Sequence, residues 1–278
     1  MIAAVARAAT AIPLALLLTT LLSCSITPSA QPEPTTTRAV PPSSSSARGL
    51  IVVVHGANHT AETWPAQLES RIGAMGNAEH WDVFLVNWPE QSDRYLTASG
   101  AGLRLGDQLG RQLAGPAFEY EAIHLIASSM GAYVIHGISR AYAASLPADR
   151  EPALVHMTFI EPFLLHGLLR PRYGAREFGA NADFAENYFT PDDPVFFSNT
   201  PLRHAVNFDL TAIIPPRADP YFTYYHDHPI YYYRDSVGRI GPGFALSPLA
   251  LGLFSPAGVY RPELLREVLP EGAVLEVD

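Results

Sequence analysis

The sequence predicts an α/β fold in which a mostly parallel central sheet carries helices on both faces. Three observations lead there. Between residues 50 and 160, short apolar runs alternate with longer stretches of helical spacing, the pattern of repeated strand–helix–strand crossovers. The runs are continuous rather than alternating, as Gly49-Leu-Ile-Val-Val-Val54 illustrates, and burial on both faces of a parallel sheet produces that texture. The roughly 230 residues that follow the N-terminal segments suffice for one such domain.

The elements follow in order. A strand at 49–54 ends in His55-Gly56, and a helix is expected over 61–75 with Thr60 or Thr63 as its cap. A strand at 81–88 and a helix at 95–113 come next. A further strand ends at Ala127, a helix runs from 132 to 144, and a strand covers 153–160. Val206-Asn-Phe-Asp-Leu-Thr211 reads as a strand with Asp209 in its middle, and residues 230–239 as a helix. Between them, 164–203 is too long for a simple crossover. Its many aromatics suit either a cap or lid over the site or a helix and loop packed on the sheet. Tyr221, Phe222, Tyr224, Tyr225 and the triplet 231–233 read as packing around the adjacent histidines, or as a pocket wall.

The chemistry concentrates at Ala127-Ser-Ser-Met-Gly131. A serine between small residues, placed where a strand turns sharply into a helix, is held in a strained conformation that lifts its hydroxyl above the sheet. The positions two before and two after it must be small because strand and helix approach closely. This selects Ser129, since Ser128 has Ile126 two places ahead. A serine hydroxyl is a weak nucleophile and needs an adjacent base oriented by a carboxylate.

The ordered landmarks resemble the α/β-hydrolases, and within them the serine lipases of the pancreatic-lipase-like kind. His55-Gly-Ala57 with Trp64 beyond it, the turn around Ser129, Phe159-Ile-Glu-Pro-Phe163 and His226-Asp-His-Pro-Ile-Tyr-Tyr-Tyr-Arg-Asp-Ser236 carry the resemblance. It implies an α/β-hydrolase fold, esterase or lipase activity, and a Ser, acid, His order along the chain. It also implies an oxyanion hole formed by the backbone amides of Ala57 and Met130.

Ten histidines compete for the base. His55 lies beside the oxyanion loop and shapes it, while His124, His136 and His156 fall inside predicted elements and read as structural. The ungapped register with the lipase pattern favours His226 as base, with His228 as the alternative. For the acid, Glu161 at a strand end matches the lipase position, and Asp209 is the rival. Asp192 and Asp193, before Pro194, read as a loop turn, and Asp227 as solvated.

The N-terminus suggests export. Arg7 precedes an apolar core at 11–22, too short to span a membrane with ease. Leu21-Leu-Ser-Cys24 resembles a bacterial lipoprotein signal, so residues 1–24 read as a signal peptide with Cys24 the lipidation site. Cleavage near Ala30, giving a secreted or periplasmic protein, is the alternative. Residues 25–48 are rich in Ser, Thr and Pro and read as a disordered tether to a catalytic domain at 49–278. Cys24 is the only cysteine, which excludes an internal disulfide.

All 18 basic residues are arginine, and the net charge of −9 argues against a nucleic-acid partner. Phosphate loops, dinucleotide fingerprints and two-histidine metal motifs are missing, so the sequence implies no cofactor and no metal. The expected partner is a small ester or lipid substrate, with membrane association through acylated Cys24. A thioesterase or amidase, or a non-catalytic envelope binding protein on the same fold, are the competing readings.

Overall fold

The apolar run at 49–54 forms the heart of a sheet. In the computed structural model, residues 40, 42–44, 46–167, 169–215, 224–256 and 260–278 are described. The expected signal segment, Cys24, most of the expected tether, Tyr221 and Phe222 lie outside them, as does the side chain of Tyr224. Seven strands occur among the described residues: β1 (Gly49–Val54), β2 (Trp81–Val86), β3 (Ala122–Ser128), β4 (Leu154–Ile160), β5 (Phe184–Phe189), β6 (Val206–Asp209) and β7 (Val274–Glu276). They lie in the order β2-β1-β3-β4-β5-β6-β7 with every neighbouring pair parallel. Every residue of β1 and β3 is buried, which accounts for their uninterrupted apolar texture.

The helices are α1 (Trp64–Ile72), α2 (Pro89–Ser92), α3 (Ala98–Leu113), α4 (Gly131–Ser145), α5 (Tyr173–Glu177), α6 (Tyr224–Asp235) and α7 (Pro262–Val268). Alternate side chains of each strand divide the interior in two. Leu50, Val52 and Leu125 pack with Leu105 and Leu109 of α3 and Val134 and Ile138 of α4. Ile51, Val53 and Ile126 pack with Leu68 of α1 and with Ile230 and Tyr233 of α6. Burying both faces in this way supplies the main driving force for the fold.

Register decides where the site falls. Val54 pairs with Ala127, and Ser128 with Ile160, so β1, β3 and β4 end level with one another. Their following residues, His55-Gly56, Ser129 and Glu161, therefore meet at one edge, the carboxyl end where open parallel sheets hold ligands.

Three expectations need correction. Segment 164–203 contains the interior strand β5, so Phe184, Tyr188 and Phe189 belong to the sheet and not to a lid. The strand escaped notice because Glu186 and Asn187 interrupt its apolar pattern, although both are fully buried. The helix expected at 230–239 spans Tyr224–Asp235 and has Pro229 inside it. Proline reads as a helix boundary, but in the second turn it removes only one hydrogen bond. The end of the expected tether is packed: Val40, 2 % exposed, joins the core, and the Ser43 amide donates to Ala117 O. Among the described residues no helix is long and apolar enough to cross a membrane.

Candidate active site

Ser129 has φ +49, in the left-handed region that costs a non-glycine residue energy. Hydrogen bonds hold it there: its amide donates to Ile160 O at 3.0 Å, and its carbonyl accepts from the Phe163 amide at 3.1 Å. The requirement for small neighbours is visible in the packing. A Cβ on Gly131 would lie 2.7 Å from Val54 O and 2.8 Å from His55 O, and one on Gly56 would lie 2.7 Å from Ser129 Cβ. Turn and preceding loop are thus in direct contact.

His55 secures that loop. The Trp88 amide donates to its Nε2 at 3.1 Å, so the ring proton sits on Nδ1 and is donated to Gly56 O at 2.7 Å. Trp88 Nε1–H donates in turn to His55 O at 2.9 Å. Burial holds the His55 imidazole below its usual pKa, in keeping with a neutral ring. The next residues turn sharply: Asn58 has φ +60, and its amide donates to Asp93 Oδ1 at 2.8 Å. The amides of Ala57 and Met130 donate to no acceptor among the described residues. Both residues line the cavity above Ser129.

His226, in the first turn of α6, is 8 % exposed. Its inward position follows from helical spacing, because Ile230 and Tyr233 on the same face are buried against the sheet. Its Nδ1–H donates to Asp193 Oδ2 at 2.7 Å. Asp193 also accepts the Val195 amide on Oδ1 at 2.9 Å and the Ser198 hydroxyl on Oδ2. The carboxylate in contact with His226 is therefore Asp193, in the loop after β5, and not Glu161 as expected from sequence. Asp193 does sit in a turn, its amide donating to Thr190 O, but the turn aims its carboxylate at the histidine. The signal lay in Pro191-Asp-Asp-Pro194 directly after a strand, and it was lost with β5 itself.

Glu161 stands behind that pair, fully buried, with φ +43 and Oε1 accepting the Thr190 amide at 2.6 Å. Burial and the nearby Asp193 charge push its pKa well above the carboxylate range. Asp209, the other candidate, ends β6 and accepts the Thr211 amide at 2.8 Å. His228 is half-buried and does not line the cavity, whereas its neighbour Asp227 does. His59 lines it too, its pKa lowered by burial and further by His226 against the opposing pull of Asp227.

The cavity measures about 580 Å³, within the range of small-molecule sites. Ser129 and His226 share it with Met130, Phe163, Val195, Phe196, Phe197 and Ile230. Its walls are therefore mainly apolar, with Ser129, His59, His226 and Asp227 among the polar groups that face it.

The buried histidines of the sheet do something else. Thr158 donates to Glu186 Oε1 at 2.7 Å, which leaves its oxygen to accept His124 Nε2–H at 2.8 Å, so His124 Nδ1 accepts from Ser247 at 3.1 Å. His156 bridges Glu186 Oε1 and Tyr260 OH, and Tyr188 OH donates to Glu186 Oε2 at 2.7 Å. His124, His156 and Glu186 have donor atoms within 4.8 Å of one another, as do Glu161, Asp193 and His226. In the first group every ring nitrogen already has a hydrogen-bond partner, so it reads as a satisfied polar layer and not as a metal cradle. That layer also anchors α6, because Tyr233 OH reaches Thr158 Oγ1 at 3.3 Å.

Residues 51–267 match a family model described as the alpha/beta hydrolase family. No curated protein matches the chain. Among solved structures, similarity is found to the RedJ thioesterase of the prodiginine biosynthetic pathway in Streptomyces coelicolor, at 18 % identity and a TM-score of 0.29. That match covers 50 % of this chain and 49 % of the thioesterase, about half its length. A thermophilic esterase from Thermogutta terrifontis is 17 % identical over 54 % of this chain and 62 % of its own, with a TM-score of 0.30. The same enzyme, esterase 2, phosphoramylated by tabun, is matched at 14 % identity over 70 % of this chain and 84 % of its own, with a TM-score of 0.33. Similarities this weak say nothing about substrate.

Proposed function

The chain belongs to the alpha/beta hydrolase family, and from that premise we propose that it is a serine hydrolase of carboxylic esters. One observation carries the reading: a strained Ser129 opens onto the same apolar cavity as a histidine whose Nδ1–H is held by a buried aspartate. In the proposed reaction Ser129 Oγ attacks the acyl carbonyl while His226 Nε2 takes its proton. The Nδ1–H···Asp193 bond keeps Nε2 in its basic tautomer and stabilises the imidazolium that forms. The amides of Ala57 and Met130 donate to the developing oxyanion. His226 then protonates the leaving alcohol, and water activated by the same nitrogen releases the acyl group from Ser129.

The apolar lining favours an acyl group of some length over a charged one. The pancreatic-lipase-like resemblance agrees with His226 but not with the acid, since Glu161 occupies the lipase position and Asp193 makes the contact. The proposal extends to location: export and acylation at Cys24, leaving the enzyme held at a membrane face by lipid chains. A diacylglyceryl mass increment on the N-terminal peptide, lost in Cys24→Ala, would support this half of the reading.

The catalytic half is tested with a fluorophosphonate probe and with p-nitrophenyl esters of rising chain length. Wild type should label covalently and hydrolyse the esters, while Ser129→Ala should do neither. Undiminished labelling of Ser129→Ala would overturn the assignment.

A further inference from the structure

Two buried carboxyl groups stand one behind the other at the back of His226. The Glu161 and Asp193 carboxyl oxygens lie within 4.8 Å of each other, and both side chains are enclosed. Their donors are divided unequally. Asp193 receives three: His226 Nδ1–H, the Ser198 hydroxyl and the Val195 amide. Among the described residues Glu161 receives only the Thr190 amide, on Oε1, and its buried Oε2 has no donor to accept from.

The charged groups bearing on Glu161 are Asp193 from the loop after β5 and Asp209 from the end of β6, both acidic. His226 of α6 completes the cluster, with its Nδ1–H committed to Asp193. Two carboxylates this close in a dry interior cannot both ionise cheaply, so one proton stays with the pair. It resides on the member with fewer donors, and a proton on Glu161 turns its orphaned oxygen into a donor.

We propose that Glu161 is a neutral carboxylic acid that donates a hydrogen bond to Asp193, making it a positioning residue for the catalytic aspartate. Asp193 then has a fourth donor, carries the pair's negative charge alone and stays aligned on His226 Nδ1–H. Burial and the Asp193 charge both favour the protonated form of Glu161, against the smaller opposing effect of the Thr190 amide. The inference rests on the proposed Ser129–His226–Asp193 reading for its catalytic consequence, but not for the protonation state.

Infrared spectroscopy of the full-length protein tests the proton directly. A carboxylic-acid C=O band should persist at neutral pH, disappear on alkaline titration and be missing from Glu161→Gln. Kinetics test the role. Glu161→Gln keeps both an N–H donor for Asp193 and a carbonyl for Thr190, so kcat/KM at pH 7 should stay within about threefold of wild type. The wild-type alkaline fall attributable to the Glu161 proton should vanish in this variant, an effect that mere packing would not produce. A loss of more than about a hundredfold in Glu161→Gln would overturn the proposal, because it would mark Glu161 as the ionised acid. The lack of an acid band in wild type would overturn it as well. Should Glu161→Gln fail to accumulate, pH-difference spectra of wild type decide the matter alone. If Ser129→Ala retains labelling while the acid band is present, the catalytic reading fails and the protonated carboxyl stands.

Discussion

Replacing Asp193 with asparagine removes one charge and one acceptor at the point where three donors converge. His226 Nδ1–H and the Ser198 hydroxyl both donate to Oδ2, and the Val195 amide donates to Oδ1. Asparagine has one carbonyl oxygen and an NH2 that accepts nothing. With the oxygen facing His226, the NH2 is set against the Val195 amide. With the amide reversed, it faces Nδ1, and the imidazole must move its proton to Nε2, the nitrogen that should receive the Ser129 proton. In either rotamer the carboxylate that stabilises the imidazolium is gone. Where an oriented carboxylate of this kind is neutralised without disturbing geometry, turnover falls about 10⁴-fold. At about 1.4 kcal/mol per factor of ten, that corresponds to roughly 5.5 kcal/mol of transition-state stabilisation. The assay is kcat for p-nitrophenyl butyrate in wild type, Asp193→Asn and Asp209→Asn, with active sites counted by fluorophosphonate titration. Asp209→Asn should stay near wild type, since its carboxylate only receives the Thr211 amide in the contacts above. An Asp193→Asn enzyme within tenfold of wild type would refute the reasoning.

Two further outcomes follow from the same contacts. Gly131→Ala places a methyl 2.7 Å from Val54 O and 2.8 Å from His55 O. Neither backbone atom can swing aside, so urea denaturation should show a loss of about 1–3 kcal/mol, and probe labelling of Ser129 should slow as the oxyanion loop shifts. Unchanged stability and labelling would mean that strand and helix have slack at the turn. Acid should destabilise the fold through His55, His124 and His136, all held by burial below their usual pKa, His136 at about 4. Below pH 6.5 the unfolded chain takes up protons at these sites before the native one does, so stability falls as pH falls, by at most about 1.4 kcal/mol per unit for each. Glu161, with its raised pKa, contributes the opposite slope above about pH 4.3. The net expectation between pH 6 and 5 is a loss of stability on acidification, because three such histidines oppose one carboxyl, measured by urea denaturation. A flat profile over that interval would show that the buried rings do accept protons in the native state.

Much of the site was legible because its constraints are local. The turn at Ser129 needs small residues two positions to either side, and that spacing is written in Ala127 and Gly131. β1 and β3 announced themselves through unbroken apolar runs, a direct result of burial on both faces. Order along the chain and the resemblance around it point to His226, and in the structure this residue lines the cavity beside Ser129. β5 is hidden because Glu186 and Asn187, polar and fully buried, are held by partners from elsewhere in the chain: Thr158 and His156 contact Glu186, and the Asn187 NH2 donates to Asn207. No local pattern records such partners.

What the sequence determined by itself was therefore what short-range sterics and hydrophobic periodicity dictate: the α/β class, the strained serine and the glycines that admit it. Which carboxylate meets His226 was decided only by tertiary structure. Glu161 and Asp193 both follow parallel strands, and chain order permits either. The choice depends on which oxygen lies in line with Nδ1 after β4 and β5 pair, and hydrogen bonding depends on distance and direction in space, which sequence spacing does not encode.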